Sequence, residues 1–413
     1  MIERKIYERF EKLYKNFRVV YLAGARQSGK STFIKDFAQK HNIKYVNFDN
    51  PKIRESASQN PDLFLELNPK PLAIDEVQRV PDIIDYIKIS ADQSDDRGQY
   101  ILTGSSNLFH NKHIHESLSG RIAIINMYPF STSEIKKWDF NLIDILFDKK
   151  FYQHLNNIAI TNFEQIKQTL CTGRFPEPVL FDLKPYDWFK GYLYTRINKD
   201  IEELTEKSLY KISILEKLMP LLAHQISSLL NLTHIATEIK SSYKTVKTYF
   251  QYLKALFLVE TLLPFYKNIG KQVTKTPKLY FIDTGLVCFL LKLSSDSLEP
   301  FSSEFGRLLE NHIYLELKKE IEASLENYEI FYYRNDKKQE VDFVIENSKA
   351  DFIAIEVKAK SNIKSSDLKG LANLISKLGN KLFASYVFYG GKEIAVTKVA
   401  NSNVFLIPYA YLF

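Results

Sequence analysis

The spacing of apolar positions changes along this chain, and each change predicts a different kind of element. Up to about residue 130, short apolar runs (RVVYLAG, KYVNFD, LAIDE, QYILTGS and RIAIINM) alternate with stretches such as KSTFIKDFAQKH, whose apolar positions recur every three or four residues. This rhythm predicts strands joined by helical crossovers, a parallel α/β sheet. From about 131 to 230, Leu, Ile, Tyr and Phe recur at helical spacing around a loop at TGRFPEPV, which predicts a helical lid or linker. Residues 231 to about 290 carry two short helical patterns and then a basic, hairpin-like stretch. Beyond residue 300 a long helical pattern, EFGRLLENHIYLELKKEIEASL, precedes the strand patterns YEIFYYR, EVDFVIE and FIAIEVKAK, then a helix and a strand near ASYVFYG. No segment repeats at a fixed period, which argues against a solenoid.

Composition narrows the class without naming a function. A chain of 413 residues has room for about two to four domains, and its apolar share of 45% and aromatic share of 14% can fill their cores. The opening MIERKIYERFEKLYKNF is charged throughout, and stretches such as ALFLVETLLPF are too short to span a bilayer. The expectation is a cytoplasmic protein with no membrane partner. Cys171 and Cys288 have no paired spacing, which argues against a zinc site or a disulfide framework and for a reducing compartment. The net charge of +7 permits acidic partners without requiring them, so local charge decides.

Chemistry enters with GARQSGKST, directly after the apolar run FRVVYLA. Gly24, Gly29, Lys30 and Ser31 fit G-x-x-x-x-G-K-[ST] without a gap, between a strand pattern and a helix pattern. The glycines let the loop curl, so that the backbone N–H groups of the run, Gln27, Ser28 and Thr32 among them, gather around the phosphates of ATP at a helix N-terminus. Lys30 reaches the β and γ phosphates, and the Ser31 hydroxyl faces Mg²⁺. PLAIDEVQ supplies the second half: Asp75, at a strand end, holds Mg²⁺ and Glu76 orients the attacking water. YILTGSSN ends a third strand in small hydroxyl residues and offers Ser105, or its neighbour Ser106, to the γ-phosphate. Arg121 directly precedes a further strand and reads either as an arginine delivered to the γ-phosphate, often by a neighbouring subunit, or as a solvated strand-start arginine. His110, His113 and His115 in HNKHIH lack an accompanying Cys or carboxylate pattern and read as a polar loop.

Taken together, GARQSGKST, LAIDEVQ, LTGSSN and SLSGRI resemble the AAA-type ATPases that carry a C-terminal domain of unknown function. The likeness extends over nearly the whole chain, through GRFPEPV and YTRINKDI to the C-terminal acidic motif. The resemblance implies a five-stranded parallel core, ATP and Mg²⁺, and a ring or dimer; whether Arg121 acts within its own subunit or is supplied in trans in such a homo-oligomer stays open. It implies no defined cellular role.

The segment NLTHIATEIKSSYKTVKTYFQYLKALFLVETLLPF has the spacing of a helix-turn-helix, with the turn at Ser241 and Ser242. Lys244 and Lys247 fall on the leading part of the second helix, and FYKNIGKQVTKTPKLYF adds Lys267, Lys271, Lys275 and Lys278 in a stretch resembling the wing of a winged helix. From Lys240 to Lys278 there are eight lysines and a single acid, Glu260. That asymmetry predicts nucleic acid, DNA above all, with Lys244, Lys247, Lys271 and Lys275 as contacts; a packing module with a solvated lysine face is the other reading.

In FIAIEVKAK, strand alternation sends Glu356 and Lys358 to one face, with Asp342 on the preceding strand and Glu310 on the helix upstream. The order helix, hairpin, strand resembles the PD-(D/E)xK nuclease fold, which implies Glu310, Asp342 and Glu356 as metal ligands and Lys358 as the catalytic cation. The same pattern fits a nuclease-like domain that no longer cuts, or a surface pair at Glu356 and Lys358.

The expected fold is α/β throughout: a parallel-sheet P-loop domain of the AAA type over 1–135, a helical lid or linker over 136–210, a winged-helix-like module over 211–290 and a nuclease-like domain over 291–413. Two functions fit it. One is a Mg²⁺-dependent ATPase coupled to DNA binding and a nuclease-like domain. The other is an ATP-driven switch or scaffold whose C-terminal domain is inactive and binds protein.

Overall fold

The computed structural model describes residues 2–105, 120–155, 158–181, 183–197, 209–265 and 275–413. The chain divides into two compact units, Met1–Phe130 with Gln251–Leu258, and Ser131–Phe250 with Val259–Phe413.

In the first unit, strands β1 (Val19–Ala23), β2 (Lys44–Asn47), β3 (Leu72–Asp75), β4 (Tyr100–Gly104) and β5 (Ile122–Asn126) form one sheet in the order β2-β3-β4-β1-β5. Every pairing is parallel. The central strands β1, β3 and β4 are buried at every position, which is why they read as unbroken apolar runs. The first unit also carries helices α1 (Tyr7–Asn16), α2 (Lys30–Lys40), α3 (Pro51–Gln59), α4 (Pro61–Leu67) and α5 (Ile83–Asp92). Asn50 and Asn60 start α3 and α4 by accepting backbone N–H bonds, each with proline next in the chain. Tyr21, Phe48, Phe64, Ile83 and Leu102 belong to the core between sheet and helices.

The second unit holds a six-stranded sheet in the order β12-β13-β11-β10-β9-β8. β8 (Tyr328–Arg334), β9 (Glu340–Asn347) and β10 (Phe352–Lys358) run antiparallel, and β11 (Leu382–Tyr389) then pairs parallel with β10. β12 (Ala395–Val399) and β13 (Ser402–Pro408) complete it and were not expected from the sequence; AVTKV alternates half-buried with exposed positions and gives no apolar run, whereas the run VFLI of β13 was passed over. The helix Lys369–Leu378 lays Leu371, Leu374 and Ile375 into one core with Val344, Ala354 and Val387 of the sheet. The long helix Ser303–Ala323 is buried along most of its length, charged residues included. Ahead of it come the helices Leu232–Glu238 and Tyr243–Ala255 and an antiparallel pair, β6 (Val259–Leu262) with β7 (Lys278–Phe281). Packing of the helices Phe163–Thr172 and Thr284–Leu291 brings the two cysteines near each other as free thiols, with Cys288 Sγ donating to the Leu170 carbonyl at 3.6 Å. Among the described residues no helix is long and apolar enough to cross a membrane.

Candidate functional site

The register of the first sheet gathers strand ends at one edge. Ala23 of β1 pairs with Gly104 of β4, and Asn47 of β2 with Asp75 of β3. The loop of residues 24–29 leaves β1 there and enters α2, with Gly29 in the left-handed region (φ 98°) at the helix start. Gly24 also has positive φ (151°), and a Cβ on it would stand 2.3 Å from the Met127 carbonyl oxygen, so only glycine fits. Lys30 is 4% exposed, and its Nζ donates to the carbonyls of Gly24 and Ala25 at 2.8 Å each. Gln27 Oε1 and Ser28 Oγ are buried with no hydrogen-bond partner among the described residues. A loop that curls around buried, unanswered polar atoms and an ammonium suits a polar anionic ligand. Arg4 supports it from outside the motif: its guanidinium donates to Ser28 O (2.9 Å) and Tyr128 O (2.5 Å).

Asp75 and Glu76 follow β3 at the same edge. Asp75 Oδ2 accepts from Tyr45 Oη at 2.6 Å and from Asn47 Nδ2 at 3.3 Å, while Thr103 Oγ1 donates to Oδ1. Burial, with the Asp75 carboxylate beside it, holds the Tyr45 phenol protonated well above its ordinary range. Glu76 adopts left-handed backbone angles (φ 58°, ψ 45°), unusual for a residue with a Cβ. Its Oε2 accepts from Ser105 Oγ at 3.2 Å and from Gln78 Nε2, and Gln78 Nε2 also reaches Ser105 Oγ at 3.0 Å. The structure thus brings Lys30, Asp75, Glu76 and Ser105 to one sheet edge. Sequence reading missed Gln78, Thr103 and Arg4; Thr103 was visible as a polar residue near the end of an apolar strand and Gln78 as one in the turn just beyond β3, whereas Arg4 carried no local signal.

Arg121 is elsewhere. Val19 pairs with Ile122, so Arg121, level with Arg18, stands at the opposite edge of the sheet, six residues or about 20 Å from the start of the loop along β1. Its Nε pairs with Asp92 at 2.6 Å, a carboxylate that Arg18 also reaches at 3.0 Å. Within a single chain it is not brought to Glu76. Ser106 and the three histidines 110, 113 and 115 lie outside the described residues.

The lysines of the second unit separate into two groups. Lys244, Lys247 and Lys275 are exposed, and Lys271 and Lys267 lie outside the described residues. Lys278 corrects the expectation of a basic wing: it is 1% exposed and faces acids, because β7 pairs with β6 and points this side chain inward. Its Nζ meets Glu310 Oε1 at 2.9 Å, Glu340 Oε1 at 2.6 Å and Asp342 Oδ1 at 3.2 Å. Burial works to lower its pKa, and these carboxylates overcome that, holding the ammonium charged.

Around that ammonium the expected acidic constellation is assembled. Glu356, 4% exposed and so no surface residue, pairs through Oε1 with Lys358, while its Oε2 is buried without a hydrogen-bond partner. Asp342 Oδ2 accepts from the backbone N–H of Val357 at 2.8 Å, and Tyr280 donates to Glu310 at 2.8 Å. Burial first, then the Asp342 carboxylate, pushes Glu356 up to about 8 and Glu310 up to about 7. Glu310, Asp342, Glu356 and Lys358 are therefore neighbours, but the set does not fit a divalent ion as it stands. Lys278 occupies two of the three carboxylates, and among the described residues no group of three or more His, Cys, Asp or Glu is placed to hold a metal.

Comparison with known proteins agrees with the first unit and leaves the second without an assigned role. Residues 16–136 match the family described as AAA domain; residues 163–297 and 305–412 match two domains of unknown function, DUF8612 and DUF4143. An uncharacterized protein of Methanocaldococcus jannaschii is 28% identical over 87% of this chain and 79% of its own length. Uncharacterized proteins of Mycobacterium tuberculosis and Mycobacterium bovis are each 23% identical over 80% of this chain and 68% of theirs. The solved structure of the Thermotoga maritima RuvB Holliday junction branch migration motor is 16% identical over 62% of this chain and 88% of that one, with a TM-score of 0.28, a likeness too loose to carry an argument. By its matched family, its parallel five-stranded sheet and its phosphate loop, the N-terminal part of this chain is an AAA-type, ATPase-like domain.

Proposed function

We propose that this protein is a Mg²⁺-dependent ATPase whose nucleotide state governs nucleic-acid binding by the second unit. The observation that carries the reading is the cradle at residues 24–30, where Lys30 rests on neutral carbonyls and Ser28 Oγ and Gln27 Oε1 lie buried without partners. A triphosphate would set its negative charge against this buried ammonium. Mg²⁺, held by Ser31 and Asp75, would offset charge on the β and γ phosphates. Glu76, fixed by Ser105 and Gln78, takes the position of the group that orients water and accepts its proton. An arginine that completes a phosphate site can come from a neighbouring subunit, and Arg121 at the far sheet edge is suited to a neighbour's nucleotide rather than its own.

The helices Leu232–Glu238 and Tyr243–Ala255 followed by β6 and β7 have the element order of a winged helix. Lys244 and Lys247 are exposed on the second helix, and these lysines are the proposed DNA contacts. For the C-terminal domain the buried Lys278 favours the reading in which a nuclease-like fold is kept and cutting is lost.

One set of measurements tests the whole: ATP turnover and DNA affinity across a salt series. Lys30→Ala abolishes turnover, and Lys244→Ala lowers the salt slope of DNA binding by about 1. Full turnover in Lys30→Ala, or DNA affinity indifferent to salt, overturns the corresponding part.

A further inference from the structure

We infer that Lys278 is the resident cation of the C-terminal acid cluster, standing where a nuclease of the resembled fold holds a divalent ion, and that the cluster is an ionic clasp rather than a cutting site. This concerns the second unit alone and deepens the non-cutting reading; it does not depend on what the phosphate loop binds.

An ammonium has three N–H donors. Here three carboxylates surround it, Glu340 at 2.6 Å, Glu310 at 2.9 Å and Asp342 at 3.2 Å, the last two accepting hydrogen bonds from it. Glu310 and Asp342 are two of the three side chains that the nuclease reading gives to the metal. A divalent ion would need the same oxygens at about 2.0–2.6 Å, which sets it against an ammonium whose side chain is 2% exposed and whose repulsion is therefore weakly screened. The basic groups offset all but one of the acidic charges. Glu310, Glu340, Asp342 and Glu356 are met by Lys278, Lys358 and Arg334, the last pairing with Glu340 at 3.2 Å.

The position of Lys278 is set by more than its charge. Its backbone pairs with Leu262 in the β6-β7 ladder and bridges to Leu229, and its side chain is 2% exposed. Two residues on, Tyr280 donates to Glu310, one of the same acids. The ion pairs therefore tie β7 to the helix Ser303–Ala323 and to β9, and join the hairpin to the C-terminal sheet as one piece. The buried, unpartnered Glu356 Oε2 is the independent mark of a cation site: with the ammonium gone, it would join Glu310 and Asp342 in a complete carboxylate set.

The test uses the full chain without nucleotide and Mn²⁺ as probe, its binding read by the loss of the free-ion paramagnetic resonance signal and by the shift in melting temperature. Wild type and Asp342→Asn should bind Mn²⁺ equally, because the cluster contributes no site in either. Lys278→Ala should gain one bound ion per chain and a melting temperature that rises on Mn²⁺ addition, both lost in the Lys278→Ala, Asp342→Asn double variant. Mn²⁺ binding by wild type that Asp342→Asn removes overturns the inference, and so does a folded Lys278→Ala that gains no ion. If Lys278→Ala does not fold, Lys278→Met keeps the aliphatic stem and replaces it, while the comparison of wild type with Asp342→Asn still decides.

Discussion

Glu76 carries its carboxylate on a backbone bent into the left-handed region, and such a conformation in a residue with a Cβ costs about 1–3 kcal/mol. The bend turns the side chain toward Ser105 and Gln78 instead of continuing β3. If Glu76 activates water, Glu76→Gln should keep ATP binding and reduce turnover by about 10²–10⁴-fold, read as a steady-state rate beside an unchanged nucleotide affinity. Gln78→Ala should act in the same direction but more weakly, since it loosens the carboxylate without removing it. Equal loss of affinity and rate in Glu76→Gln would assign the residue to binding instead.

The helix Ser303–Ala323 shows what one element does when its charged residues are buried. His312 is enclosed, stacks on Phe413 with ring centroids 4.1 Å apart, and its Nε2 lies 2.8 Å from the Leu412 carbonyl, a pairing for the neutral ring that donates this proton. Burial, the largest cause, drives its pKa down to about 3. The unfolded chain takes up a proton near pH 6.5 and the folded one does not, so stability conferred by the neutral ring is present above pH 6.5 and declines as pH falls toward 3. Between pH 7 and 5 that amounts to about 2 kcal/mol. Both tryptophans, Trp138 and Trp188, lie in the second unit, so their fluorescence in urea follows it; the pH-dependent fall in midpoint should be shallower in His312→Gln. Periodicity revealed this helix and most strands because long apolar patterns survive in any context. It could not reveal that Glu316 and Glu320 on the same helix are buried, accepting from Thr132 N at 2.7 Å and Leu142 N at 2.9 Å, because those partners are about 180 residues away in the chain. Lys278 was misread for the same reason: in sequence it is one more lysine in a basic run, and only the pairing of β7 shows that it faces acids. The phosphate loop, by contrast, is local, so its glycines and Lys30 could be named from spacing alone.

The position of Arg121 bears on how many chains make one site. The arginine cannot serve the loop of its own chain from the opposite sheet edge, and its link to Asp92 gives it a fixed place on the first unit. If it serves a neighbour, two defective variants complement each other: Lys30→Ala has a dead loop and a sound arginine, Arg121→Ala the reverse. Mixed, they should recover part of the turnover that each lacks alone, and recovery should grow with protein concentration. No recovery at any ratio would remove the shared site.

Arg4 gives the proposed nucleotide site a handle outside its own motif. The guanidinium fastens the segment ahead of α1 to the Ser28 carbonyl, so tension on that segment is tension on the phosphate loop. A purification tag, a surface tether or a proteolytic nick just before it would alter the loop from a distance. Rates measured on such material would describe the attachment as much as the site.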